Sequence, residues 1–345
     1  MKLIRQKSLG FLTDYSSLAS WASLRALGLF VAFGTALISL SCNAQSVTPE
    51  PLRLIVPFPK GGSTYLTAEL LAHEFEKSMN RPVSLSVIVG NNSMKAQEAL
   101  TSAAKDGNTL FVGTVITNAL VPVLFEHSAN VVNPKAIEPI SRLADFPSFV
   151  VTSAKSNSVD VRTLIEHLKS TSGVMRNGSD FTGGASFLSA HLLGRRFGLK
   201  VEQVSINGAQ GLLDGVIGGA LDIVFLNSST AGPAIKAKSV RALALTGSSR
   251  LENFPEVSTL EEQGLQGIGI NMWQGLFAAK GVAPSTLQNI FAYTQKALNS
   301  DDFKSLIAQN NAFVTPSTST EQFSKELELE KAHWSAVMKD AGLVQ

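Results

Sequence analysis

Two glycines followed by two hydroxyls, Gly61-Gly62-Ser63-Thr64, are the residues best placed for chemistry in this chain. They follow an apolar run, Leu54-Ile55-Val56, and the segment Pro57-Phe58-Pro59-Lys60. A helical pattern opens at Leu66. That order predicts strand, tight loop, helix N-terminus. A helix N-terminus carries free backbone N–H groups and the positive end of the macrodipole, so it attracts anions. Gly61 and Gly62 let a ligand approach the backbone, and Ser63 or Thr64 can cap the helix or donate to an oxyanion. A capped turn without a ligand is the alternative at this stretch. Two further strand-to-helix junctions, Thr182 to Ser186 and Asn207 to Ala209, are also rich in glycine and hydroxyls or amides.

Catalytic patterns are missing. The five histidines, His73, His127, His167, His191 and His333, have no metal-ligand spacing. There is no GxSxG elbow, no GxGxxG after a strand, and no P-loop lysine ahead of Ser63. The expectation is no catalytic residue, no metal and no cofactor.

The elements that must position the loop alternate in type. Strands are predicted at 52–58, 83–89, 109–114, 137–143 and 148–152, with helices at 66–79 and 94–104. Thr117 and Asn118 lie in the segment leading out of the third strand. A second series begins near 149: helix 161–170, strand 174–177, helix 187–197, strand 201–206, helix 209–218, then strands 221–226 and 240–246. The last part holds a strand at 270–278 with Trp273, then helices 284–299, 301–310 and 320–341. Such a βαβ series implies α/β lobes with mainly parallel sheets flanked by helices. Glycine-rich βα loops facing one cleft would make a two-sided anion trap.

A chain of 345 residues suits two lobes, and 44% hydrophobic with 16% charged residues is a globular composition. The N-terminus has the pattern of an export signal: positive charges ending at Arg25, an apolar run from Ala26 to Leu40, and small residues to Ala44. Cleavage after Ala44 is expected, with lipid attachment at Cys42 as the alternative. Loss of residues 1–44 removes the only cysteine and leaves 25 basic and 26 acidic residues. No basic stripe remains for nucleic acid or an anionic membrane.

In order and spacing, several short motifs resemble one family. They are Pro51-Leu52-Arg53-Leu54-Ile55-Val56-Pro57-Phe58-Pro59 with Gly61-Gly62-Ser63-Thr64, then Asp106-Gly107-Asn108-Thr109-Leu110, then Gly218-Gly219-Ala220-Leu221-Asp222-Ile223-Val224-Phe225. Arg241-Ala242-Leu243-Ala244-Leu245-Thr246, Phe254-Pro255-Glu256-Val257, Trp273 and Ala283-Pro284 continue the match. From about Pro51 to Gly342 the chain resembles the substrate-binding proteins of tripartite tricarboxylate transporters, the Bug family of periplasmic receptors.

The resemblance implies a two-lobed periplasmic binding protein of type II, with lobe one at 48–148 and 269–345, lobe two at 149–268, and the ligand between them. It implies a non-enzymatic receptor for a small organic acid, located in the periplasm, monomeric, with membrane transporter subunits as partners. A sensor module for a membrane kinase and a secreted enzyme remain the alternatives. Carried over, the site comprises Phe58, Lys60, Gly61, Gly62, Ser63, Thr64 and Tyr65, with Thr117 and Asn118. On lobe two it comprises Phe181, Thr182, Gly183, Gly184, Ala185, Ser186, Asn207 and Asn227. The chain departs from the family where Asp is usual at Tyr65 and at Leu226, Lys or Arg at Asn207, and Pro at Lys60. Those departures imply a ligand without an ammonium group, with Lys60 adding positive charge.

Overall fold

Strand β1 (Leu52–Val56) is buried along almost its whole length and leads into the glycine–hydroxyl loop. The structure is a computed structural model that describes residues 50–126, 132–180, 182–206 and 208–344. The export signal, Cys42, Ala44, His127, Phe181 and Asn207 therefore lie outside the described residues.

Helix α1 (Ser63–Met79) follows β1 and buries Thr64, Thr67, Ala68, Leu71, Ala72 and Phe75, a stripe at helical spacing. It stops at Asn80, which takes a left-handed conformation (φ 50°). Then come β2 (Val83–Val87), α2 (Met94–Thr101), β3 (Thr109–Thr114), a wide turn (Ile116–Leu120), and the short α3 (Val121–Leu124). Next are β4 (Ile137–Phe146) and β5 (Ser148–Ser153), separated only by Pro147. The second series is α4 (Val161–Thr171), β6 (Val174–Ser179), α5 (Ala185–Phe197), β7 (Lys200–Ser205), α6 (Ala209–Ile217), β8 (Val224–Asn227), α7 (Ser228–Lys236) and β9 (Val240–Leu245). The chain ends with β10 (Met272–Ala279), α8 (Pro284–Asn299), α9 (Asp301–Gln309), β11 (Phe313–Val314) and α10 (Thr320–Asp340).

The strands fall into two halves. A six-stranded sheet runs β11-β4-β10-β3-β1-β2, while a three-stranded sheet β8-β5-β9 and a pair β6-β7 form the other half. The α/β class stands, but mainly parallel pairing does not. β1 pairs in parallel with β2 and β3, whereas β10 pairs antiparallel with β3 and β4, and β5 antiparallel with β8 and β9. The reason is topological. β4 carries the chain out of the first half at Phe146 and β10 brings it back at Met272, opposite Phe146. Adjacent strands that leave and re-enter through one boundary must run in opposite directions. Helix α7 was also missed, because Gly232 and Pro233 interrupt its pattern.

Alternation along the strands covers both faces of the large sheet. Leu54, Val112 and Leu276 pack beneath α1, α8 and α9 with Phe75, Leu298 and Phe303. Ile55, Phe111, Phe277 and Trp273 pack on the other face with Phe323, Trp334 and Met338 of α10. Trp273 meets Phe323 edge-on at 5.5 Å, a geometry worth about 1 kcal/mol beyond its buried area. Leu188 of α5 joins this second cluster, with Ala185, Phe187 and Leu192 packed against it. One helix of the second half is thus anchored on the first.

Candidate functional site

The C-terminal ends of β1, β3 and β8 meet at the boundary between the halves, where α/β folds place ligands. A cleft of about 770 Å³ opens there. One wall is the loop from Phe58 to Leu66, so Phe58, Lys60, Gly61, Gly62, Ser63, Thr64 and Tyr65 all line it. Gly62 sits at the N-cap of α1 with extended backbone (φ −84°, ψ 165°), and no side chain caps the helix. The N–H groups of the first turn therefore open toward the cleft with the positive end of the helix behind them. Gly61 has φ 88°, a conformation that side chains with a Cβ strain to adopt. Lys60 Nζ stands 5.8 Å from the centre of the Tyr65 ring. The Tyr65 departure therefore places a cation–aromatic pair on the cleft wall.

The opposite wall differs from the expected one. It is built from Asp180, Gly208, Ala209, Asn227, Ser229 and Thr230. Gly208 is the N-cap of α6 (φ 80°, ψ 152°) and supplies no side-chain cap, so a second open helix end faces the cleft. Asn227 is at the wall but caps α7 itself, accepting from Ser229 N–H at 3.0 Å. Leu226 points into the second half's core beside Phe149, so the departure there leaves no gap in the cleft. Asp180 is an acidic group on the wall that the sequence reading overlooked, and it is engaged with the protein itself.

Thr182, Gly183, Gly184, Ala185 and Ser186 are not brought to the cleft lining. Thr182 is exposed, and Gly183 (φ 85°) presses on Leu124, where a Cβ would lie 2.9 Å from that side chain. Ala185 packs into the cluster around Trp334, and Gly184 caps the buried start of α5. Ser186 Oγ donates to Gly178 O at 2.7 Å and accepts from Phe225 N–H at 3.2 Å. It ties α5 to β6 and β8. Ser186→Ala should cost about 2 kcal/mol by stranding the Phe225 N–H, with ligand affinity unchanged within about twofold. Urea unfolding with parallel calorimetric titration checks both; a binding loss without destabilisation would contradict the assignment.

Thr117 and Asn118 are likewise not part of the cleft lining. Thr117 is fully buried and Asn118 nearly so. Thr117 Oγ1 accepts from Thr114 N–H at 2.8 Å, and Gln97 Nε2 donates to Thr117 O at 2.6 Å. They brace the exit from β3, where Thr114 and, in the turn that follows, Ile116 line the cleft.

Residues distant in sequence complete the site. Gln274 of β10 donates Nε2–H to Ser63 Oγ at 3.2 Å and to Thr64 Oγ1 at 3.4 Å. A polar residue inside Met272-Trp273-Gln274-Gly275-Leu276-Phe277 was the available signal. Asn310 lines the cleft, and the neighbouring Asn311 takes Ser228 Oγ–H on its carbonyl at 2.7 Å and Asn253 Nδ2–H on its side chain at 2.9 Å. Those bonds join the two halves at that end. Trp273 also lines the cleft, and its Nε1–H donates away from it to Glu330 at 2.6 Å. Burial pushes the Glu330 carboxyl above its ordinary value, against the Trp273 and Trp334 N–H groups and the Arg142 charge. Among the described residues no cluster of three His, Cys, Asp or Glu could hold a metal ion, and no helix is long and apolar enough to cross a membrane.

Known proteins resemble this chain along most of its length. Protein BugT of Bordetella pertussis is 26% identical over 322 residues, 92% of this chain and 97% of that protein. MatC of Rhodopseudomonas palustris with bound malate has a TM-score of 0.70 at 24% identity, covering 83% of this chain and 98% of that one. A second R. palustris protein, with adipate, has a TM-score of 0.74 at 22% identity, covering 85% of this chain and 97% of that one. The fold is thus the two-lobed α/β arrangement of periplasmic binding proteins. Residues 68–343 match the family described as tripartite tricarboxylate transporter family receptor, and with that span inside the match the protein belongs to this receptor family.

Proposed function

We propose that the chain is an extracytoplasmic receptor that closes two lobes, 48–148 with 269–345 and 149–268, around a small organic acid. It then delivers the acid to membrane transporter subunits. The observation that carries this reading is the open N-terminus of α1 at Gly62, flanked by Ser63 and Thr64, across the cleft from the open end of α6 at Gly208. Two sets of backbone donors suit carboxylate oxygens. Closure removes water and strengthens those bonds. The malate and adipate held by the two structural relatives support a dicarboxylic acid as the first candidate. Lys60 is the cationic side chain of the wall, and a ligand without an ammonium group fits it. Export through cleavage after Ala44 and a monomeric state belong to the same reading.

A thermal-shift screen of mono- and dicarboxylic acids, malate and adipate among them, with amino acids alongside, tests it. A ligand at a hundredfold excess over its Kd adds about 2.7 kcal/mol, a rise of several degrees. Stabilisation by amino acids alone would overturn the organic-acid reading. Conversion of a bound acid into product would favour an enzyme instead.

A further inference from the structure

Gln274 is a polar side chain in an apolar strand, and it is only 2% exposed. The pairing of β10 with β4 slips by one residue directly after it. The extra residue is Leu143 on β4, and β10 keeps its register with β3 through this point. Gln274 shares its sheet face with Leu276 and Ala278, which pack under α1, and its amide reaches the first turn of that helix. Its Nε2 serves Ser63 and Thr64, while its Oε1 is buried with no hydrogen-bond partner among the described residues. An unpaired buried carbonyl is costly, about 1–3 kcal/mol. For packing alone a leucine or methionine would serve better at this position.

The direction of the two bonds matters. A serine or threonine hydroxyl has a single proton. Because both oxygens accept from Gln274, neither directs its proton at Gln274. Neither hydroxyl donates to any other described residue either. Both sit beside the open N–H groups at the start of α1. With the protons turned outward, the two hydroxyls join the first-turn N–H groups of α1 as donors, and the acceptors of this part of the lining, the Glu69 carboxylate and the unpaired Gln274 Oε1, belong to neither set.

We propose that Gln274 is a positioning residue that sets the hydrogen-bond polarity of the cleft. By donating to Ser63 and Thr64 it aims both hydroxyl protons at the ligand. The α1 end then takes an ionised oxyanion, which only accepts, and rejects the carboxamide of the same acid, whose N–H groups would face donors. The inference rests on the reading of the cleft as a carboxylate site.

Calorimetric titration with a panel of mono- and dicarboxylic acids, including malate and adipate and their amides, tests it. The proteins compared are wild type, Gln274→Leu, Gln274→Glu, Ser63→Ala and Ser63→Ala with Gln274→Leu. Gln274→Leu should weaken acid binding about tenfold, and Ser63→Ala alone about tenfold, the value of one hydrogen bond to a charged group. Ser63→Ala added to Gln274→Leu should cost less than about threefold more, because a hydroxyl with no set direction contributes little. Gln274→Glu should lose at least about a hundredfold, since a carboxylate accepts from both hydroxyls, turns their protons inward and repels the ligand. Gln274→Met replaces the leucine variant if that one does not fold. Fully additive losses, or wild-type affinity in Gln274→Glu, would overturn the proposal while leaving the carboxylate site in place. Failure of the wild-type protein to bind any acid of the panel would overturn the carboxylate reading, and this proposal with it.

Discussion

Gly62→Asp should raise the melting temperature and abolish carboxylate binding in one substitution. Gly62 is the N-cap of α1, and its backbone angles are open to any residue. A Cβ there would meet only Pro59 O, at 3.7 Å. The new carboxylate would accept from the N–H of Thr64 or Tyr65, as Asp does at helix starts. It would also sit at the positive end of the helix, worth about 0.3–1 kcal/mol. Less backbone freedom in the unfolded chain adds about 0.4–1 kcal/mol. A gain near 1 kcal/mol corresponds to a rise of about 2–4 °C. The same oxygens would fill the place a ligand carboxylate needs and repel any other anion. A loss of at least about a hundredfold in affinity follows, because a tethered competitor is present at millimolar effective concentration or more. Gly62→Ala has no such oxygen and should bind nearly as wild type. Scanning calorimetry and titration on the three proteins decide the matter; undiminished acid binding by the Asp variant would mean the ligand does not sit at this helix end. The empty cap forgoes local stability and leaves the first-turn N–H groups free.

Glu330→Ala should be the most destabilising of the substitutions considered, at about 3 kcal/mol. Trp273 Nε1–H donates to this carboxylate at 2.6 Å and Trp334 Nε1–H at 3.4 Å. Both indoles belong to the cluster behind the cleft wall. Removing the acceptor leaves two buried donors unpaired and opens a cavity. Glu330→Gln keeps an acceptor and should remain within about 1 kcal/mol of wild type at neutral pH. The pH dependence has a definite sign. Burial raises the folded-state pKa of Glu330 above the unfolded value. The folded protein then holds the proton more tightly, so the contribution is complete below the unfolded pKa. It is lost as pH rises through the folded one. Urea titrations from about pH 4 to about pH 8 should therefore show a decline in wild type that flattens in Glu330→Gln. Equal stability of wild type and Glu330→Ala would remove the assigned role. Because Trp273 also lines the cleft, the alanine variant should lose acid affinity as well.

Two loops with the same local chemistry met different fates. Gly61-Gly62-Ser63-Thr64 and Thr182-Gly183-Gly184-Ala185-Ser186 both carry glycines and hydroxyls at a strand-to-helix junction. In the first the glycines are exposed in the cleft. In the second Gly183 is pressed on Leu124 and Ser186 is bonded inside to Gly178 and Phe225. Short-range signals such as strand, breaker, cap and apolar spacing act over a few residues, and they marked both junctions correctly. They hold no information about what a junction faces. That depends on α5 docking across onto the cluster with Trp334, a contact between distant parts of the chain. The mixed pairing of the large sheet escaped for the same reason, since the return of β10 beside β4 is a matter of chain path and not of strand composition.

What the residues alone determined is the run of elements, the α/β class, the glycine–hydroxyl junction after β1 and the family likeness, because each depends on neighbours in sequence or on order along the chain. That the helix starts at Ser63 with Gly62 as an open cap, and not at Leu66 with a hydroxyl cap, came from the structure. What only tertiary structure decided is the composition of the far wall and the partnership of Ser63 with Gln274, two positions separated by 211 residues. Burial of apolar faces drives such meetings, and it is largely indifferent to direction. The polar groups that come to face one cleft are thus selected by how whole elements pack, which no local pattern encodes.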